Sequence, residues 1–89
     1  MPPIIPVENA MRVQARFGKT GGKWYGVIPA LDGCEVFGKA SYAEAHEHLL
    51  WKLVGMVNRC RHEHVEPKWN EGPFAEPMWD EIIRTFAVA

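Results

Sequence analysis

Residues 24–45, which read WYGVIPALDGCEVFGKASYAEA, contain the signals that decide the fold. Trp24 to Ile28 is rich in aromatic and β-branched residues, which favour a strand. Pro29 ends that strand because proline has no backbone N–H to donate to a neighbour. Asp32-Gly33 is typical of a turn, and it precedes a short apolar run, Cys34 to Phe37, that predicts another strand.

A long helix is predicted after this pair of strands. Gly38 closes the second of them, and Ser41 followed three residues later by Glu44 forms a capping box, which indicates a helix start. Apolar residues then recur at helical spacing as far as about Arg61, so one stripe of the helix is expected to be buried. The predicted stripe consists of Ala45, Leu49, Leu53, Met56, Val57 and Cys60.

The sequence before Trp24 predicts one more strand and a hairpin. From Met11 to Phe17 apolar and polar residues alternate, which is typical of a half-buried strand. The polar segment 18–23 contains three glycines and separates two strand-like runs, so it indicates a hairpin turn. Residues 1–10 contain three prolines and are expected to form a flexible arm.

The sequence after the helix is less regular. Residues 62–76 are polar and contain two prolines, so we expect a loop, with one short extended piece around Val65. A short helix from Met78 to Glu81 and a last strand from Ile82 to Val88 are expected to follow. The order β-β-β-α-β predicts a single α+β domain at 11–89, an antiparallel sheet with one long helix packed on one face.

Composition restricts the classes of function. The chain has 89 residues, 47% hydrophobic residues and a net charge of −1, which are ordinary values for one globular domain rather than for a nucleic-acid-coating protein. No apolar run approaches the ~20 residues of a transmembrane helix, and the N-terminus lacks the features of a signal peptide. We therefore expect a cytoplasmic protein without membrane contact, and its small core predicts a homodimer.

Residues of the kind that carry out catalysis do not form a recognisable set. We therefore expect no enzymatic activity, no catalytic residues and no cofactor. Cys60, His62 and His64 are the nearest approach to a metal site, although zinc ligands in small domains usually come in two paired clusters. They leave open the alternative of a small metal- or ligand-binding domain with enzymatic activity. In a reducing cytosol, Cys34 and Cys60 are expected to be free thiols.

Aromatic residues are the better candidates for a functional surface. Trp24 and Tyr25 are neighbours on a strand, so their side chains are expected on opposite faces of the sheet. An aromatic residue on the uncovered face would be an anchor for a protein partner. Trp51 lies off the buried stripe and is a candidate for an oligomer contact. Together with Leu31, these residues form the predicted partner-binding set.

The central stretch resembles the HicB-like antitoxin domain family. The similarity begins with the alternating first strand and the aromatic second strand that runs into proline. It continues through the Leu31-Asp32-Gly33-Cys34 turn and a glycine before a capped helix. It covers about residues 11–60, with 82–88 as the expected last strand. The matching residues, whose roles are expected to be mainly structural, are Pro29, Gly33, Cys34, Gly38, Ser41, Glu44 and Ala45.

This resemblance implies a protein partner. HicB-like antitoxins bind and block small HicA-like toxins that cleave RNA, they self-associate, and they usually carry a second, DNA-binding module. Residues 62–89 are too few to hold both the last strand and such a module. DNA binding by this chain alone is therefore not expected.

Overall fold

The computed structural model describes residues 11–70 and 72–88 of the chain. The predicted α+β class and the β-β-β-α-β order are confirmed. The predicted flexible arm, residues 1–10, lies outside the described residues. The elements are β1 (Met11–Thr20), β2 (Lys23–Val27), β3 (Glu35–Lys39), α1 (Tyr42–His62) and β4 (Ile82–Val88).

The four strands form one antiparallel sheet in the order β3-β2-β1-β4. Strands β1 and β2 are joined by Gly21-Gly22, and both glycines have positive φ angles, 57° and 79°. This conformation is the one that a tight hairpin turn requires. Strand β4 pairs with β1 from Phe17 opposite Ile82 to Met11 opposite Val88. Strands β3 and β4 are therefore the two edges.

The core lies between the sheet and α1. From β1, the side chains of Val13, Ala15 and Phe17 are buried, as the alternating pattern predicts. The buried residues of α1 are Ala45, Leu49, Leu53 and Val57, which recur every four residues along one stripe. Met56 and Cys60, which were predicted to belong to this stripe, are only half-buried. The stripe of the helix that is fully buried is therefore narrower than the apolar stripe predicted from the sequence.

An aromatic cluster fills the core beneath the first turns of α1. The ring of Phe17 lies 5.2 Å from that of Tyr42 and 6.3 Å from that of Phe86. The imidazole of His46 lies between the rings of Phe17, at 5.5 Å, and Phe86, at 5.0 Å. His46 is therefore a packing residue that joins α1 to β1 and β4.

Three local predictions differ from the structure. Residues Met78–Glu81 form a turn and no helix, because a single helical turn brings few hydrogen bonds for the backbone that it orders. The predicted extended piece around Val65 is absent, and an isolated bridge between Trp69 and Leu31 occurs instead. Strand β3 continues through Gly38, whose φ is +67°, to Lys39, with an irregularity in its pairing with β2.

Candidate functional site

The segment 63–81, which links α1 to β4, is attached to the rest of the domain at two points. At the first, the Asn70 side-chain amide donates to the Pro29 carbonyl at 3.2 Å and to Asp32 Oδ1 at 2.8 Å. The Asn70 backbone N–H donates to the Ala30 carbonyl at 2.7 Å. The turn that follows β2 therefore holds the middle of this segment.

The second attachment is made by one carboxylate. The Tyr25 hydroxyl donates to Glu81 Oε2 at 2.6 Å, and the Met78 N–H donates to Glu81 Oε1 at 2.7 Å. The Glu81 N–H in turn donates to the Met78 carbonyl at 3.0 Å. The hydrogen bond to Glu81, together with burial, raises the pKa of Tyr25 to about 12. Glu81 therefore both closes the turn 78–81 and ties it to the sheet face opposite α1.

This turn displays large apolar side chains to solvent. Trp79 is 94% exposed and Met78 is 64% exposed, while Phe37 on the neighbouring edge strand is 62% exposed. A shallow cavity of about 350 Å³ lies between Tyr25, Phe37, Met78 and Asp80 and is also lined by Lys19 and Thr20. We call Tyr25, Phe37, Met78, Trp79 and Asp80 the aromatic turn surface.

Charge is distributed very unevenly between this segment and the remainder of the chain. Residues 63–81 contain six Asp and Glu residues and one lysine, a net charge of −5. The rest of the chain contains nine Lys and Arg residues and five Asp and Glu residues, a net charge of +4. The overall charge of −1 hides this separation. Met78, Trp79 and Asp80 of the aromatic turn surface belong to this acidic segment, whereas Tyr25 and Phe37 lie on the sheet.

Such an arrangement is suited to binding. The backbone of the turn 78–81 is already fixed by hydrogen bonds, so presenting Trp79 to a partner costs little additional ordering of the backbone. Tryptophan is among the residues that contribute most to protein–protein binding energy. The surrounding carboxylates would attract a basic surface and orient it during encounter.

The residues predicted to bind a partner occupy different environments. Tyr25 faces away from α1, whereas the Trp24 ring packs against the core, 5.8 Å from that of Tyr42. Their opposite orientation agrees with strand alternation. Leu31 is only 6% exposed, so its side chain has little surface to offer a partner. Trp51 is 62% exposed on α1, where its ring stacks on that of His48 at 5.5 Å.

The residues that carry the family resemblance have clear local roles in the backbone. The Glu44 N–H donates to Ser41 Oγ at 3.1 Å, which is one half of the predicted capping box. The Glu44 carboxylate accepts from the N–H of Ala40, one residue before the cap, at 3.1 Å. Gly33 has a φ of +80° in the turn after β2. Ala45 lies in the core, 0% exposed.

Cys34 is part of the same turn and is buried. Its N–H donates to the Leu31 carbonyl at 3.1 Å, and its own carbonyl accepts from the Ile28 N–H at 2.9 Å. Burial raises the pKa of its thiol to about 11, so the reactive thiolate is scarce at neutral pH. Cys60 is half-buried, and both thiols are free. Cys34 is therefore a core residue in a position unsuited to a nucleophile.

The candidate metal ligands are not brought together. Cys60 and His62 lie in the last turn of α1, and His64, with a φ of 58°, follows the end of the helix. Within residues 11–70 and 72–88, no group of three or more His, Cys, Asp or Glu side chains could hold a metal ion.

Sequence reasoning missed Phe37, Met78 and Trp79 as surface residues. Their composition alone suggests core residues, since most large apolar side chains in a small domain are buried. The available signal was the position of Met78-Trp79 within the acidic segment 63–81, immediately before Asp80-Glu81. Because carboxylates are rarely buried, an apolar pair that lies directly beside them in the sequence is expected at the surface.

Comparison of the chain with protein-family models, with curated proteins and with solved structures finds no match. In the described part of the chain, helix α1 is not apolar enough to span a membrane.

Proposed function

We propose that this chain is a protein-binding domain of the HicB-like antitoxin type, without enzymatic activity, that binds and blocks a small HicA-like RNA-cleaving protein. The observation that carries this proposal is the aromatic turn surface, a tryptophan held at the tip of a fixed turn inside an acidic segment. The ordered sequence resemblance over residues 11–60 supports the same type of partner.

The chemistry of an RNA-cleaving partner matches this surface. A protein that binds RNA presents Lys and Arg side chains to phosphates and flat apolar surfaces to unstacked bases. The segment 63–81 offers carboxylates to the first kind of group, and Phe37 and Trp79 offer rings to the second. If segment 63–81 bound to the RNA-binding surface of the partner, it would exclude RNA from that surface.

The proposal is tested by co-expression with the protein encoded next to this chain. We expect a stable complex, loss of the partner's toxicity and inhibition of its RNA cleavage. Absence of a complex and of rescue would contradict the proposal.

A single substitution then locates the contact. Trp79→Ala should weaken binding at least ~30-fold, the loss typical of an interface hot spot. Trp51→Ala tests the other exposed tryptophan, which lies on α1 and belongs to the partner-binding set predicted from the sequence. If the aromatic turn surface is the contact, this variant should leave affinity within about twofold. Isothermal titration calorimetry measures both constants. Equal losses of affinity for the two variants would show that the aromatic turn surface is not the specific contact.

Ionic strength provides an independent check of the charge argument. If carboxylates of segment 63–81 face a basic partner, added salt should weaken the complex, because salt screens such pairs. We expect the association rate to fall most steeply. An affinity that does not change between low and high salt would argue against a basic partner.

A further inference from the structure

The outer side of helix α1 carries a row of basic residues. The row follows helical spacing, with steps of three or four residues, and consists of His48, Lys52, Gly55, Arg59 and His62. Between the first and the last of these positions the chain has three Lys and Arg residues and no Asp or Glu. We call these five residues the basic stripe.

The glycine in the middle of the basic stripe leaves a dent in the surface of the helix. Glycine destabilises a helix interior relative to alanine. Packing does not require it here, because among the described residues a Cβ added at Gly55 would meet nothing within 4 Å. A shallow cavity of about 330 Å³ lies at this point and is lined by Lys52, Met56 and Arg59 as well. Two cations therefore flank a place where a ligand can approach the helix backbone closely.

The two cations are arranged for an extended anion. Lys52 Nζ donates to the Glu35 carbonyl of β3 at 3.0 Å, which positions the ammonium at the edge of the cavity. An ammonium has three N–H donors and binds phosphate oxygens as a point charge. Arg59 lies seven residues further along the helix, a rise of about 10 Å. Each of the two side chains can therefore contact a different phosphate of one strand.

An exposed aromatic ring lies beside the basic stripe. Trp51 is 62% exposed, and its ring stacks on the imidazole of His48 with 5.5 Å between the centroids and 20° between the planes. Proteins that bind single-stranded nucleic acid combine rings on which bases stack with cations that follow the phosphates. The outer side of α1 offers both kinds of group.

We propose that the basic stripe and Trp51 bind single-stranded nucleic acid. Lys52 and Arg59 contact phosphates on either side of Gly55, and a base stacks on the face of the Trp51 ring that His48 does not cover. Such a site needs no separate DNA-binding module, because it uses the helix of the domain itself. The overall charge of −1 does not oppose it, since the chain outside segment 63–81 has a net charge of +4.

The experiment measures the fluorescence anisotropy of a labelled strand of about ten nucleotides, as RNA, as DNA and as a duplex. We expect dissociation constants of about 10–100 µM at low salt for the single strands. The duplex should bind more weakly, because its paired bases cannot stack on Trp51. The logarithm of the affinity should fall against the logarithm of the salt concentration with a slope of about −1.4, or about −0.7 for each of two phosphates. A preference for RNA or for DNA would support the site and identify which of the two supplies the strand.

Two matched pairs of substitutions locate the site. Lys52→Gln should weaken binding at least ~3-fold and reduce the salt slope by about 0.7, whereas Lys23→Gln removes the same charge at the hairpin and should leave the slope unchanged. Trp51→Ala should weaken binding at least ~5-fold, whereas Trp79→Ala should leave it within about twofold. Gly55→Glu places a carboxylate between the two cations and should weaken binding at least ~10-fold. Far-UV circular dichroism verifies that the variants fold.

Absence of binding at about 1 mM protein would overturn the proposal, since non-specific sites bind more tightly than this. Equal losses within either matched pair, or a duplex that binds as tightly as the single strands, would overturn it as well. NMR of the wild-type chain needs no variant, and added strand should shift the amides of 51–59 but not those of the hairpin 18–23. Shifts confined to other residues would contradict the site.

The inference goes beyond the proposed function and does not depend on it. Trp79→Ala is expected to lose the protein partner and keep the strand, and Trp51→Ala is expected to do the reverse. Failure of either proposal therefore leaves the other standing.

Discussion

The helix-covered face of the sheet and the segment 63–81 are held in place by different interactions. Residues such as Phe17, Leu49 and Leu53 are at most 1% exposed and are stabilised by removal of apolar surface from water. In segment 63–81, all the described residues from 72 to 80 are exposed. That segment is positioned by hydrogen bonds of Asn70 and Glu81 to the sheet and the turn after β2, and by the half-buried Trp69, which packs against the edge of the core.

This difference separates stability from recognition. A core tolerates few changes in volume, because its side chains are close-packed. A segment attached at two points can carry Trp79 and acidic residues without affecting the core. Substitutions that test the comparison should therefore change stability strongly in one region and binding in the other.

The largest loss of stability is expected in the core. Leu49→Ala should lower the free energy of unfolding by about 3 kcal/mol, because Leu49 is 0% exposed and its loss leaves a cavity. Val54→Ala, on the exposed side of the same helix, should change it by less than about 0.5 kcal/mol. Urea unfolding followed by circular dichroism measures both, and similar losses for the two variants would contradict the burial of this stripe.

Two glycines should respond with opposite signs. A Cβ added at Gly26 would lie 2.9 Å from Phe17 Cε1 and 3.1 Å from Leu49 Cδ2, so Gly26→Ala should cost about 1–3 kcal/mol through overpacking. A Cβ at Gly55 in α1 meets nothing within 4 Å, so Gly55→Ala should stabilise the protein by about 0.5–1 kcal/mol. Chemical denaturation of both variants measures the change in the free energy of unfolding and its sign. A neutral Gly26→Ala would mean that the sheet and helix are packed less tightly.

The attachment of the turn 78–81 should be visible in a tyrosine titration. Glu81→Gln should lower the pKa of Tyr25 from about 12 towards its ordinary value of 10, because the hydroxyl loses its charged acceptor. The folded-state value in the wild type lies above the unfolded one, so stability should fall as the pH rises from about 10 to about 12. NMR of the tyrosine Cζ carbons follows this titration, with Glu76→Gln as the control. An unchanged pKa in Glu81→Gln would show that the turn is held differently.

The smallest effect concerns the two thiols. Cys34 is buried and its pKa is raised to about 11, so at pH 8 its reaction with a disulfide reagent should be at least tenfold slower than that of the half-buried Cys60. The single variants Cys34→Ser and Cys60→Ser separate the two rates, and urea should abolish the difference. Equal rates in the folded protein would mean that Cys34 is accessible.

Local patterns were sufficient to predict the elements of the fold. Alternation at β1 and β4, the glycine hairpin, the stop at Pro29 and the capping box at Ser41 each depend on residues close together in the chain. Such signals are reliable because they reflect backbone geometry and the period of each element. They were less reliable at Met78–Glu81, where one short turn contains too little periodicity to distinguish a helix from a hydrogen-bonded turn.

The sequence by itself determined the order of strands and helix along the chain and the centre of the α1 stripe that meets the sheet, Ala45, Leu49, Leu53 and Val57. Only the tertiary structure decided which large side chains remain at the surface, so that Trp24 packs on the core and Trp79 does not. The physical reason is that exposure depends on contacts between distant residues. Tyr25 and Glu81 are 56 positions apart, and no local period encodes the hydrogen bond that joins them.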